Sequence, residues 1–169
     1  RNFLEVIAPD VIILTETNVP HDENISYFGR GDEAHMVYQF ALPPLVLHGL
    51  LNGTAAHLTE WASNLAPPPR GCSFLNFTAS HDGIGLRPLE GILPPQEILT
   101  LAEQVEARGG FVSMRSLEDG SEVPYELNAT FFGALVEPED DAVGEARFLC
   151  SQAVALAMQG IPAIYFHSL

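Results

Sequence analysis

The chain alternates between two hydrophobic periods. Four short runs read as strands: Asp10-Val11-Ile12-Ile13-Leu14-Thr15, Met36-Val37-Tyr38-Gln39-Phe40, Ser73-Phe74-Leu75-Asn76-Phe77-Thr78 and Ala163-Ile164-Tyr165-Phe166, of which the first is apolar on both faces. That is the pattern of parallel strands covered on both sides. Between them apolar residues recur at helical spacing. Phe3, Leu4 and Ile7 start the chain in mid-helix. A helix follows Pro43-Pro44 with Leu47, Leu50, Leu51, Leu58, Trp61, Ala62 and Leu65 on one stripe, and Asn52-Gly53 is where it can divide in two. Pro67-Pro68-Pro69 closes it. Pro94-Pro95 opens a helix that turns Ile98, Leu101, Ala102 and Val105 inward and stops at Gly109-Gly110. The last helix, about Val143 to Gln159, is expected to present Leu149, Ala153, Leu156 and Ala157 to the core, and Gly160-Ile161-Pro162 leads into the fourth strand.

The order is βαβαβαβ, which with right-handed crossovers leaves an open doubly wound sheet or part of a (β/α)8 barrel. Gly83-Ile84-Gly85 follows a strand but lacks the third glycine and the adjoining helix of a dinucleotide fingerprint. A whole barrel needs about 250 residues and eight strands, so four strands amount to half of one. The expected organisation is a single partial barrel over 1–169, with an insertion at about 111–135 drawn as a long loop with turn chemistry at Asp119-Gly120. The missing initiator Met and the start in mid-helix suggest a piece of something longer.

Charge and composition narrow the function classes. Seven Lys+Arg against 22 Asp+Glu give a net charge of −15, while 47% hydrophobic residues argue against disorder. Without a basic cluster, nucleic-acid and membrane-surface roles are disfavoured. Cys72 and Cys150 stand far apart with no metal-ligand spacing, which fits neither a zinc site nor a disulfide framework and suits a reducing cytoplasm. The run Val11 to Leu14 is far too short to cross a bilayer, and the first five residues do not form a signal sequence.

In a barrel the C-terminal strand ends converge on one mouth, and here they carry Glu16, Gln39, His81 and Asp82. Paired carboxyl groups suit chemistry at a glycosidic bond, where one protonates the leaving oxygen and others stabilise an oxocarbenium-like centre. From spacing alone the better-supported reading is that Glu16 caps a loop and Asp82 caps a turn beside Gly83.

Particular segments carry a resemblance. Thr15-Glu16-Thr17-Asn18 and Asn76-Phe77-Thr78-Ala79-Ser80-His81-Asp82 resemble two conserved regions, on the fifth and seventh barrel strands, of the α-amylase family of glycoside hydrolases and transglycosidases. Within it, Tyr38-Gln39-Phe40-Ala41-Leu42-Pro43-Pro44-Leu45, His81-Asp82-Gly83-Ile84-Gly85 and Pro124-Tyr125-Glu126-Leu127-Asn128 are similar to the sucrose phosphorylase branch. Thr15 to His21 is closer to the glucosylglycerate side of that branch.

The resemblance implies the C-terminal half, strands five to eight, of an α/β (β/α)8 barrel. It also implies retaining α-glucosyl transfer to phosphate, with Glu16 as general acid/base and Asp82 as the stabiliser of the transition state. His81 becomes a sugar ligand, and Asn18, His21, Arg87, Tyr125 and Asn128 become candidates for the acceptor or phosphate position. Local alternatives stand beside these roles: solvated loop positions for Asn18 and His21, rim packing for Tyr125, Glu126 and Asn128, and an ion pair with Glu90 or Glu97 for Arg87. The family's nucleophilic aspartate lies on strand four, before Arg1, so the chain by itself is expected to be inactive and to pair with the missing half or with itself. No metal and no cofactor are implied; the acidic run Glu137 to Asp141 is taken as a solvated helix approach. The alternatives are plain α-glucoside hydrolysis and a silent barrel used as a binding or scaffold module.

Overall fold

The computed structural model describes residues 1–136 and 141–168, with the side chains of 141 and 142 left aside. The run 137–140 therefore lies outside the described residues, as does any role for its carboxylates. In chain order come α1 (Asn2–Ile7), β1 (Leu14–Thr15), α2 (His21–Ser26), β2 (Met36–Tyr38), α3 (Leu42–Asn52), α4 (Ala56–Asn64), β3 (Ser73–Asn76) and β4 (Ile84–Gly85). A 3-10 turn (Arg87–Leu89), α5 (Pro95–Glu106), β5 (Phe111–Ser116), β6 (Glu122–Asn128), α6 (Phe131–Leu135), α7 (Asp141–Ala157), β7 (Ile161–Pro162) and a 3-10 turn (Phe166–Ser168) complete it.

Strands β1-β2-β3-β7 form one parallel sheet in that order, so each crossover runs through helix to the next strand. This is the α/β arrangement of part of a (β/α)8 barrel. Prolines 43 and 44 start α3, where a missing N–H costs nothing, and Gly53 ends it in the left-handed conformation at φ +66°. The helix divides there, as the Asn52-Gly53 pair predicted. Leu42, Leu45 and Leu47 pack with Leu86, Leu89, Leu101, Val105, Leu127, Phe131 and Leu135 into the main core. Phe28, Ala34, Val37 and Phe74 form a second cluster, to which β2 contributes Val37 and β3 contributes Phe74.

Four expectations are corrected. The insertion is no plain loop: β5 and β6 make an antiparallel hairpin, and β4 joins it as a third strand in the order β4-β6-β5. The turn does sit at Asp119-Gly120, where the Asp119 carboxylate accepts from the Ser121 N–H at 2.9 Å and hydroxyl at 2.6 Å. The first strand is shorter than its apolar run, because the Ile13 carbonyl takes both the His35 and Met36 N–H groups and the regular ladder begins only at Leu14.

The last strand lies earlier than 163–166. Ile161–Pro162 pairs with β3 and Ala163 donates to Asn76, after which the chain coils into its 3-10 turn. Helix α7 presents the opposite stripe from the one expected: Ser151 and Ala155 are buried and Phe148, Val154 and Met158 pack on the core, whereas Leu149, Ala153, Leu156 and Ala157 are exposed. Small residues explain it. Gly144, a Cβ on which would lie 2.6 Å from Val136 Cγ2, lets this side approach the core more closely than the leucine side could. Among the described residues no helix is long and apolar enough to cross a membrane.

Candidate active site

Glu16 follows β1 directly, and His81 and Asp82 lie on the loop that leaves β3. Parallel pairing through β2 points both strand ends the same way. One side-chain ligand atom from each of Glu16, His81 and Asp82 lies within 4.8 Å of the others, and all three residues are exposed. His81 Nε2 stands 3.4 Å from Asp82 Oδ1, and the Asp82 N–H donates to Ser80 Oγ at 3.2 Å, which holds the turn. A cavity of about 730 Å³ opens beside His81 and Asp82, with Phe40, Phe77, Tyr165 and Asn128 in its lining. Aromatic faces beside carboxylates suit a sugar, whose C–H faces pack on rings while its hydroxyls seek anions.

The acid's segment is braced from below. Thr17 Oγ1 donates to Asn24 Oδ1 at 3.3 Å, and Asn24, buried on α2, donates from Nδ2 to the Tyr38 carbonyl at 2.7 Å. Sequence patterning gave no sign of Asn24, because α2 has too few apolar positions to announce a helix. Tyr38 was likewise missed as a site residue. Its phenol pKa is raised by burial and by the charges of Glu16 and Asp82, which places the ring near both carboxylates. Glu126 is raised in the same way, by burial first and then by Asp82. Gln39, the other strand-end residue, is fully buried, and its amide atoms find no hydrogen-bond partner among the described residues.

The remaining candidates are dispersed. Asn18 lies two residues beyond the acid, its buried amide atoms unpartnered among the described residues and close to the Gly85 backbone. His21 opens α2 and stands edge-on to Trp61 at 5.7 Å, with burial lowering its pKa against the opposing pull of Asp22. Arg87 does not line the cavity; its Nε is 3.7 Å from Glu90, which also takes Arg115 at 2.9 Å. Tyr125 sits within β6, its carbonyl accepting from Leu86. Asn128 does line the cavity and is held by Ser113 at 2.8 Å.

Parallel strands that bring two carboxylates and a histidine to one mouth have the arrangement of a barrel site, and such a set suits chemistry at a glycosidic bond. No family model matches the chain. Individual proteins do. It is 48% identical over 171 residues to the glucosylglycerate phosphorylase of Escherichia coli strain K12, covering 100% of this chain and 31% of that protein. The glucosylglycerate phosphorylase of Spirochaeta thermophila is 52% identical over 170 residues, covering 100% of this chain and 29% of its own length. A sucrose phosphorylase of Agrobacterium vitis is 31% identical, covering 91% and 30%. A crystal structure of sucrose 6F-phosphate phosphorylase from Thermoanaerobacter thermosaccharolyticum superposes with a TM-score of 0.79 at 22% identity, over 99% of this chain and 33% of that one, which speaks to the fold. The chain is thus similar over its whole length to glucosylglycerate phosphorylases and over most of it to a sucrose phosphorylase, and spans about three tenths of the relatives it matches.

Proposed function

We propose that the protein carrying this chain is a retaining glycoside phosphorylase that moves an α-glucosyl group from a glucosylglycerate-type donor to phosphate. The convergence of Glu16, His81 and Asp82 at the ends of β1 and β3 carries the reading, and similarity to phosphorylases along the whole chain supports it. In the first displacement an aspartate supplied by the preceding barrel strand attacks the anomeric carbon. The glycosidic C–O bond breaks and Glu16 gives its proton to the departing oxygen. In the second, phosphate attacks the glucosyl ester, the enzyme carboxylate leaves, and Glu16 as carboxylate takes up the proton that phosphate loses. Asp82 and His81 hold ring hydroxyls while the sugar flattens. Asn128, in the cavity lining, borders the acceptor position. Carboxylates supply acid, base and nucleophile, so the scheme needs no metal. Cys72 and Cys150, both unpaired, suit a cytoplasmic location.

A product assay on the full protein tests this. Donor plus inorganic phosphate should yield glucose 1-phosphate in step with donor loss. Free glucose in that amount would make it a hydrolase, and an untouched donor would leave a binding module.

A further inference from the structure

We propose that Gly85 is a positioning residue for the acid: because it carries no side chain, the Asn18 amide lies flat on β4 and holds the Glu16–Asn18 segment beside Asp82. The inference rests on Glu16 being the acid. A methyl group placed on Gly85 would stand 2.5 Å from Asn18 Oδ1, 2.7 Å from Cγ and 2.9 Å from Nδ2. Three nearly equal distances mean that the amide meets the glycine face-on. Gly85 is not among the glycines with positive φ, so its backbone does not call for glycine; the space does.

Packing fixes Asn18, since its amide atoms are buried and have no hydrogen-bond partner among the described residues. Thr17 is tied in turn to Asn24 on α2. Two successive residues after Glu16 are therefore held from opposite elements, α2 and β4. Strand β4 begins two residues after Asp82 and is itself pinned to the hairpin, where Gly85 pairs with Glu126. The segment that carries Asp82 thus also sets the place of the acid's segment. The Gly83-Ile84-Gly85 motif, which binds no dinucleotide on this reading, acquires a mechanical role.

An alanine at 85 forces Asn18 back by roughly 1 Å to regain ordinary contact. Displacements of that size cost up to about 10²-fold in rate. The test compares Gly85→Ala, Asn18→Ala and the double variant in the full protein, using a sugar leaving group and an acidic aryl one, with thermal unfolding alongside. Gly85→Ala should lose about 10–100-fold with the sugar leaving group and keep most of its rate with the aryl one. It should also lower the melting temperature, and neither penalty should be added when Asn18 is already alanine. Equal losses with both leaving groups, additive penalties in the double variant, or a double variant as unstable as Gly85→Ala would overturn the inference. Wild-type protein that transfers no glucosyl group would instead remove the proposed function and this role with it.

Discussion

Glu16 and Asp82 bring carboxylate oxygens within 4.8 Å of each other from the ends of two strands that do not touch, β2 lying between them. The pKa of the Tyr38 phenol, on β2, is raised by burial first and then by the charges of Glu16 and Asp82. Nothing here is held by direct contact between the two carboxylates. Their closeness depends on the strand ends and on what braces each loop.

Asn24 is the brace that can be removed most cleanly. Asn24→Ala takes away the bonds to Thr17 and to the Tyr38 carbonyl in a buried setting. The expected cost is roughly 1–3 kcal/mol. Chemical denaturation should show a lower midpoint with an unchanged slope, and kcat should fall with it, since the acid's segment loses its anchor. An unchanged midpoint would mean that these bonds exchange freely with water.

A second test concerns acid stability. His48 Nε2 and His57 Nε2 lie 2.9 and 3.2 Å from the same Glu97 oxygen, joining α3 and α4 to the first turn of α5. Burial lowers the His48 pKa below 6.5, with His57 adding to that and Glu97 opposing it. The folded state thus binds fewer protons at His48 than the unfolded state does. Stability from this group is fully present above pH 6.5 and is lost as pH falls through the lowered value. Unfolding midpoints measured across pH 4.5–7.5, roughly the span of histidine titration, should fall toward acid less steeply in His48→Phe than in wild type. Parallel curves would contradict the assignment.

A third expectation is for the 169-residue chain produced alone. Phe3, Val6, Ile7 and Ile12 near β1 and Leu149, Leu156, Ile161 and Phe166 near β7 are all exposed, at the two edges of the parallel sheet. Open edges with apolar flanks recruit partners. Sedimentation should show dimers or larger species and the sample should have no turnover; an active monomer would contradict both the half-barrel and the external nucleophile.

How much of this was legible in the sequence depends on which force set each feature. The strand order and the break between α3 and α4 at Asn52-Gly53 follow local rules, since short apolar runs and a left-handed glycine cap leave marks in single residues. The hairpin Phe111–Ser116 with Glu122–Asn128 reads as loop because Leu127 alone of its strand positions is fully buried, so no apolar alternation marks the strands. Helix α7 carries two apolar stripes, and which one turns inward was decided by the small residues Gly144, Ser151 and Ala155, whose close approach to the core no periodicity reports. At the site, Glu16, His81 and Asp82 were found through the resemblance of their segments. Asn24 was not, because α2 has too few apolar positions to announce a helix, and the Asn18–Gly85 contact was not, because it joins segments distant in sequence.

The most direct measurement of the central claim is the leaving-group dependence of Glu16→Gln in the full protein, read beside Asp82→Asn. General acid catalysis typically contributes 10²–10⁴-fold, so Glu16→Gln should lose roughly that much with a glucosylglycerate-type donor, yet form the covalent glucosyl intermediate at nearly the wild-type rate from a donor with an acidic leaving group. Asp82→Asn should slow both donors alike, because it acts on the sugar ring. Equal losses for Glu16→Gln with the two donors, or full activity without Glu16, would contradict the assignment of the acid and with it the proposed reaction.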